Sequence, residues 1–247
     1  LKMSLSNKVV LITGGSSGIG ASTAILFSQH GANVAIVGRN ETKLQEVAEK
    51  CAHKPLVLKA DVNNEDDVKR IIEETIENYG QIDVLVNNAG IVRHNTIEDE
   101  NILQIYDEVM ATNLRSVMNI TNRAVPYLIQ SKGNIVNISS IAGESVAPTL
   151  LVYSISKAAL NHFSKAVAME LAGKGVRVNA ISPGPVRTDV LINANDFTPW
   201  EVYEKFSPSG KICEPEEIAE MVLFLTSDKG RSITGSNYVV DNGCLVK

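Results

Sequence analysis

The sequence contains few cysteines, few aromatic residues and no excess of positive charge. Its three cysteines, Cys51, Cys213 and Cys244, are odd in number and widely spaced, so they predict neither a disulfide framework nor a zinc site. The pair Cys51 and His53 is too sparse for a metal ligand set. A net charge of -5 argues against nucleic-acid partners. We therefore expect a metal-free protein of a reducing compartment.

Long apolar runs are also lacking. The apolar run at residues 9–12 is too short for a signal-peptide core or a membrane span, which favours a cytoplasmic protein with no membrane partner and a start at Met3. With 247 residues and 44% hydrophobic content, the chain is long enough to bury a large core. We expect residues 1–247 to form a single domain.

Short apolar runs alternate with longer amphipathic segments. The short runs predict strands at residues 9–13, 33–37, 56–59, 84–86, 135–138, 176–181 and 237–240. The segments between them, including 102–128 and 214–225, have helical spacing, and we expect helices to end near Gly31, Gly80, Gly133 and Gly175. This alternation predicts an α/β fold, a doubly wound parallel sheet of about seven strands with helices on both faces.

Residues around 189–212 interrupt this pattern and predict a small substrate lid. Four of the twelve aromatic residues lie there, namely Phe197, Trp200, Tyr203 and Phe206. One interpretation is that they line a lipophilic pocket. The other is that they pack the insertion against its own helix or against a neighbouring subunit.

A glycine-rich turn follows the first predicted strand. Gly14, Gly18 and Gly20 let the backbone turn tightly there and bring amide groups close to a pyrophosphate at a helix N-terminus. About twenty residues later, Arg39 occupies the region where an acidic residue selects NAD(H) and an arginine accommodates a 2′-phosphate. Arg39 therefore favours NADP(H), although Glu41 weakens this preference and NAD(H) remains an alternative. Arg39 as an ordinary solvated residue is the other interpretation.

Tyr153 and Lys157 lie one helical turn apart, a spacing that puts both side chains on one face of a helix. A free tyrosine has a pKa of about 10, so a nearby ammonium that stabilises the phenolate helps it exchange protons near neutral pH. Ser140 lies thirteen residues before the tyrosine. Together these residues predict proton transfer to a reacting carbonyl.

The turn at 13–20, the Asn-Asn-Ala-Gly motif at 87–90 and the Tyr-x-x-x-Lys pair resemble the short-chain dehydrogenase/reductase superfamily, from Lys8 to about Gly243. The resemblance implies one Rossmann-type domain. It implies cofactor contacts in the first turn from Gly14, Ser16, Ser17, Gly18, Ile19 and Gly20. It implies an adenine-edge contact from Asp61 and Val62, and cofactor contacts from Asn88, Ala89 and Gly90. On the nicotinamide side it implies contacts from Pro183, Gly184, Val186 and Thr188, besides Tyr153 and Lys157.

The same resemblance implies a catalytic set of Asn113, Ser140, Tyr153 and Lys157. Tyr153 would donate the proton, and Lys157 would supply the positive field and hold the nicotinamide ribose. Ser140, which fits the family spacing better than Ser139, would donate to the developing oxyanion. Asn113 would distort or anchor its helix and hold a water that passes protons to Lys157.

These expectations predict an NADP(H)-dependent oxidoreductase that interconverts a lipophilic ketone or aldehyde and its alcohol. The alternatives are an NAD-dependent alcohol dehydrogenase, a 3-oxoacyl thioester reductase and a non-catalytic cofactor-binding regulator. His94 faces the substrate in one interpretation and is a surface loop residue in the more common one. The resemblance implies a homotetramer or dimer, and the apolar C-terminal runs at residues 238–240 and 244–246 are the chain's own indication of an interface.

Overall fold

The computed structural model describes residues 5–246, so the expected start at Met3 and the last residue, Lys247, lie outside it. Within this range, seven parallel strands form one sheet in the order β3-β2-β1-β4-β5-β6-β7. The strands are β1 Val9–Thr13, β2 Asn33–Gly38, β3 Leu56–Lys59, β4 Val84–Asn87, β5 Asn134–Ile138, β6 Arg177–Pro183 and β7 Asn237–Val240. The predicted doubly wound sheet is confirmed.

Helices connect the strands and cover both faces of the sheet. They are α1 Gly18–Gln29, α2 Glu41–Lys50, α3 Glu65–Tyr79, α4 Ile102–Met110, α5 Ser116–Ser131, α6 Leu151–Leu171, α7 Val190–Asn193, α8 Trp200–Glu204 and α9 Pro215–Thr226. None of the helices in the described range is long and apolar enough to cross a membrane.

Each central strand supplies side chains to two separate cores. In β1, Val10 and Ile12 pack with α1, α2 and α9 on one face, whereas Leu11 packs with α3, α5 and α6 on the other. All three side chains are fully buried. This two-sided burial explains why the strands read as continuous apolar runs. It also leaves the ends of the strands as the place where polar groups remain accessible.

The order of the strands reverses between β1 and β4. From β1 the chain continues to β2 and β3 on one side, and from β4 it continues to β5, β6 and β7 on the other. The loops after β1 and β4 therefore leave in opposite directions and open a crevice at the carboxyl ends of the strands, where ligands bind in such sheets.

Three predicted boundaries differ from the structure. The segment 102–128 is not one regular helix, because a π-helix at Ala111–Arg115 separates α4 from α5. Strand β6 continues to Pro183 instead of ending at residue 181, since pairing with β7 extends it. Helix α5 ends at Ser131, and its C-cap is Lys132, which adopts a left-handed conformation with φ of 51° one residue before Gly133.

Candidate active site

The turn between β1 and α1 depends on residues without side chains. Gly18 has a φ of +52°, which favours glycine, and a Cβ there would lie 2.8 Å from Cγ2 of Thr188. A Cβ on Gly20 would lie 2.2 Å from the carbonyl oxygen of Gly14, a distance that forbids any side chain. The glycines therefore keep the backbone tight and accessible.

The N-terminus of α1 is open to an anionic ligand. Its N-cap residue, Ser17, makes no side-chain hydrogen bond to the first turn, so amide groups there keep their capacity to bind phosphate. Ser16, Ser17 and Gly18 line a cavity of about 240 Å³ that Lys43 and Asp189 border on its other side. These residues fit the pyrophosphate of a dinucleotide, which would bring the anionic charge that this helix end favours.

Asn88 joins the loops after β1 and β4 across the crevice. Its Nδ2 donates to the carbonyl oxygens of Thr13 and Gly14, both at 3.0 Å. In return, the Thr13 hydroxyl accepts from the amides of Asn88 and Ala89 at 3.0 and 3.1 Å. The segment from Asn88 to Gly90 therefore lies directly beside the glycine-rich turn between β1 and α1.

Arg39 directly follows β2, at the carboxyl end of the sheet. Its side chain is exposed, and its guanidinium makes no hydrogen bond or ion pair with any other described residue. The neighbouring Glu41 pairs with Lys59 at 3.3 Å. Ser16 lies close by, because a Cβ on Gly38 would be 3.3 Å from the Ser16 hydroxyl oxygen. An uncommitted cation and a hydroxyl thus border the same edge of the crevice.

Asp61 follows β3 and belongs to a loop held by side-chain hydrogen bonds. Its Oδ1 accepts from the amide of Asn63 at 2.9 Å, and its own amide donates to Oδ2 of Asp67 at 2.8 Å. Val62 beside it is half-buried. These bonds keep the loop after β3 at the same edge of the sheet as Arg39.

Tyr153 and Lys157 lie in the first two turns of α6. Lys157 is 5% exposed, and its Nζ donates to the carbonyl oxygen of Ile138, the last residue of β5, at 2.9 Å. The same Nζ lies 5.7 Å from the centre of the Tyr153 ring. One buried ammonium therefore connects the tyrosine to the carboxyl end of the central sheet.

The two adjacent serines after β5 have different partners. The Ser140 side chain is hydrogen-bonded to Tyr153, and its Oγ also accepts from the amide of Ala142 at 3.1 Å. Ser139 is buried and donates to the carbonyl oxygen of Lys157 at 3.2 Å. Of the two, Ser140 is therefore the serine that contacts the tyrosine.

Burial dominates the protonation of this pair. It raises the pKa of Tyr153 above its usual value, while the hydrogen bond with Ser140 acts in the opposite direction. Burial also lowers the pKa of Lys157 from 10.5 to about 8. The net effect raises the pKa of Tyr153, because desolvation outweighs the hydrogen bond with Ser140. Tyr153 is held as a neutral phenol that can donate a proton.

Asn113 lies in the π-helix between α4 and α5 and is fully buried. Its side chain donates to the carbonyl oxygen of Ile91 at 2.9 Å and to Oγ of Ser156 at 3.0 Å, and it accepts from the amide of Ile91 at 2.8 Å. These bonds draw the residue inward and coincide with the interruption of the regular helix. They connect the helix pair to the loop after β4 and to α6.

The turn after β6 is fixed from two sides. The amide of Gly184 donates to the carbonyl oxygen of Val240 at 2.9 Å. Val186, which is 8% exposed, pairs with Cys213 in an isolated parallel bridge. Thr188 then contacts Gly18, as described above. The residues expected near the nicotinamide therefore lie opposite the phosphate turn.

The lid, residues 189–212, contains α7 and α8 and a cluster of rings. Trp200 and Tyr203 have ring centres 5.6 Å apart, and Tyr203 and Phe206 have ring centres 6.5 Å apart. The guanidinium of Arg187 lies 5.5 Å from the Trp200 ring centre. Three of the four aromatic residues therefore pack the insertion on itself, whereas Phe197 is 76% exposed.

The chain is similar to known proteins over nearly its whole length. The family described as enoyl-(acyl carrier protein) reductase matches residues 14–244. The 3-oxoacyl-[acyl-carrier-protein] reductase FabG of Thermotoga maritima is 39% identical over 253 residues, which cover 99% of this chain and 100% of that protein. The chain is a short-chain dehydrogenase/reductase. As such, it is an NAD(P)-dependent oxidoreductase that acts on C=O and CH-OH groups.

Two solved structures are similar over nearly their whole length. A short-chain dehydrogenase/reductase of unknown function from Caenorhabditis elegans, with cofactor, has a TM-score of 0.90 and 39% identity, covering 98% of this chain and 96% of that one. The 3-ketoacyl-(acyl-carrier-protein) reductase of Brucella melitensis, complexed with NADH, has a TM-score of 0.90 and 32% identity, covering 98% and 99%.

The site of this dehydrogenase/reductase also includes residues that the sequence did not reveal. Ser156 binds Asn113, and Asp196 of the lid lies 3.2 Å from Nε2 of His94. Lys43 pairs with Asp189 at 2.7 Å, so the first residue of the lid is connected to α2. In each pair the two residues are far apart in the sequence and are of common types, so no local sequence pattern indicates that they meet.

The buried ammonium of Lys157 should cost this dehydrogenase/reductase stability. A pKa lowered from 10.5 to about 8 corresponds to a cost of about 3 kcal/mol, fully present below pH 8 and lost as the pH rises toward 10.5. Lys157→Met should therefore raise the free energy of unfolding at pH 7 by up to that amount, with a smaller gain near pH 10. Urea denaturation at both pH values measures the difference.

Lys165→Met, on the exposed side of the same helix, is the control and should change stability little at either pH. A Lys157→Met variant that is less stable than the unmutated protein at pH 7 would contradict the proposed cost.

Proposed function

We propose that this enzyme uses NADPH to reduce a lipophilic ketone or aldehyde to its alcohol. The observation that carries the proposal is the contact between Ser140 and Tyr153 beside the buried Lys157. Two hydroxyl groups and one ammonium meet there at the carboxyl end of β5, next to the crevice. Such a group can bind a carbonyl oxygen, stabilise developing negative charge and protonate it.

Each residue of the cluster has a distinct part in this mechanism. Gly14 to Gly20 and Asn88 to Gly90 would hold the nicotinamide cofactor, which would supply the hydride for the carbonyl carbon. As charge accumulates on the carbonyl oxygen, Ser140 donates a hydrogen bond to it and Tyr153 transfers its phenolic proton. Lys157 stabilises the resulting phenolate and, with Asn113 as a positioning residue, connects the tyrosine to a source of protons.

The protonation of the site is suited to donating a proton during carbonyl reduction. Burial raises the pKa of Tyr153, so the residue is a phenol near neutral pH and is ready to donate. Oxidation of an alcohol requires the phenolate as a base, which burial disfavours. An NAD-dependent alcohol dehydrogenase is therefore the second candidate. A non-catalytic cofactor-binding regulator is disfavoured, because it would not need the intact cluster of Ser140, Tyr153 and Lys157.

The relatives narrow the class of ketone. Those from Thermotoga maritima and Brucella melitensis are 3-oxoacyl and 3-ketoacyl reductases of acyl carrier protein substrates. A 3-oxoacyl thioester is a ketone with an apolar chain. It therefore fits both the lipophilic carbonyl substrate and the thioester alternative that the sequence predicts. Val146, Ile192 and Phe197, on the loop before α6 and on the lid, are 87%, 57% and 76% exposed and offer apolar surface for such a chain.

Within the proposed function, the first prediction tests Tyr153 as the proton donor. Tyr153→Phe removes the phenolic proton but leaves the phosphate turn and Lys157 intact, so kcat/KM should fall by about 10²-fold or more while NADPH binding changes little. Rates are measured with a panel of 3-oxoacyl thioesters, ketones, aldehydes and alcohols, with an enoyl thioester included. Tyr106→Phe, on the exposed face of α4, is the matched control. Near wild-type rates for Tyr153→Phe with an active substrate would exclude the mechanism.

The second prediction concerns the cofactor. We expect NADPH to bind more tightly than NADH, because Arg39 is free to make a charge-assisted contact with the 2′-phosphate. Arg39→Asp should reverse this order and weaken NADPH binding by about 10-fold to 100-fold. Arg231→Asp makes the same charge change on the exposed turn before β7 and should leave the order unchanged. Tighter binding of NADH to the unmutated enzyme, measured by titration, would overturn the assignment.

The third prediction concerns assembly. We propose a cytoplasmic homotetramer or dimer, supported by the open edge of β7, where Val239 is 44% exposed, and by Val246, which is 82% exposed. Deleting residues 243–247, of which Lys247 lies outside the described range, should lower the oligomer mass and the thermal stability. Light scattering measures the mass. A stable and fully active monomer before any truncation would refute this proposal.

A further inference from the structure

His94 is the point where the middle of the lid meets the body of the protein. Its Nε2 lies 3.2 Å from Oδ2 of Asp196, whose side chain is 9% exposed. Among the described residues, the other side-chain hydrogen bond that connects residues 190–200 to a residue outside the lid is a local one, from the amide of Val190 to the Thr188 hydroxyl at 3.4 Å. The two ends of the lid are held separately, through Asp189 and through Glu204.

Asp196 is itself held firmly within the lid. Its carboxylate accepts from the Tyr203 hydroxyl at 2.6 Å and from the amide of Thr198 at 2.9 Å. Burial alone would raise its pKa, but these hydrogen bonds and the charge of His94 outweigh that effect and lower the pKa to about 2. The carboxylate that His94 meets is therefore ionised and fixed to the ring cluster of α8.

On its other side, His94 reaches the loop that leads to the proton donor. Its Nδ1 lies 3.3 Å from the hydroxyl oxygen of Thr149, and the amide of Asn95 donates to the Thr149 carbonyl at 2.7 Å. The Asn95 side chain then accepts from the amide of Val152 at 3.1 Å. Val152 is the residue before Tyr153. One imidazole thus joins the lid, the loop after β4 and the start of α6.

We propose that His94 is a positioning residue that clasps the lid over the substrate side of the site and thereby sets the affinity for the carbonyl substrate. The substrate part of this proposal rests on the proposed function. The contact between His94 and Asp196, called the clasp below, holds Asp196 beside the loop that contains Val146. It thereby also holds Phe197, the exposed neighbour of Asp196, beside that loop. Lid and loop then form the two walls between which an apolar chain would lie. His94 acts through the lid and takes no part in proton transfer.

The lid itself supplies the probe that tests the clasp. Trp200 is the only tryptophan of the sequence and lies in α8, so its fluorescence reports on the lid alone. His94→Ala should increase the quenching of this fluorescence by acrylamide by about twofold, because the middle of the lid loses its anchor. His94→Gln keeps a donor toward Asp196 and should restore most of the protection. His162→Ala, an exposed histidine of α6, is the matched control.

Kinetics then test the consequence for substrate. With the best carbonyl substrate of the panel, His94→Ala should raise KM by about tenfold, with kcat within about twofold and the Kd of NADPH unchanged. Asp196→Asn should have a similar effect. The double variant should be no worse than either single variant, since both remove one interaction.

The outcomes separate the clasp from the proposed function. Unchanged quenching in His94→Ala would overturn the clasp, whatever the reaction is. Increased quenching with an unchanged KM, or a loss confined to kcat, would overturn its role in substrate affinity. If the unmutated enzyme reduced no carbonyl compound, the proposed function would fail, and the quenching comparison would still decide whether His94 holds the lid. Circular dichroism and thermal unfolding of each variant identify a loss of folding, and His94→Gln then carries the test.

Discussion

Burial of both faces of the parallel sheet is the constraint on which the rest of this molecule depends. Because side chains such as Leu11 and Ile12 face opposite cores, neither face of the sheet is left for polar chemistry. Polar and flexible groups therefore collect where the strands end. The reversal of strand order between β1 and β4 opens a crevice there, and the bonds from Asn88 to Thr13 and Gly14 keep its two sides in register.

The same burial sets the chemistry of the site. Lys157 is enclosed by the sheet end and α6. Burial there lowers the pKa of Lys157 and raises the pKa of Tyr153. An exposed pair with the same spacing would titrate like free side chains. The site thus depends on desolvation at least as much as on the proximity of two residue types.

The fold and the main cluster were largely predictable from the sequence, for a physical reason. Apolar runs of strand length and glycines near the helix ends are local signals, and Tyr153 and Lys157 are neighbours on a helix whatever surrounds it. The lid was recognisable only as an interruption of the pattern. Its ring packing was one of two interpretations that the sequence left open, because the partners of Trp200 and Phe206 depend on a conformation that local spacing does not specify.

The sequence by itself indicated the parallel sheet, the glycine-rich turn after β1 and the pairing of Tyr153 with Lys157, because each depends on short-range spacing, whereas Asn113 and Ser140 were expected from the family resemblance. Only the tertiary structure decided that the helix containing Asn113 is interrupted by a π-helix, that burial shifts the pKa of Tyr153 upward, and that His94 meets Asp196, which lies 102 positions later in the chain. Contacts between remote segments and the degree of desolvation arise when the whole chain packs, so no local pattern of residues contains them.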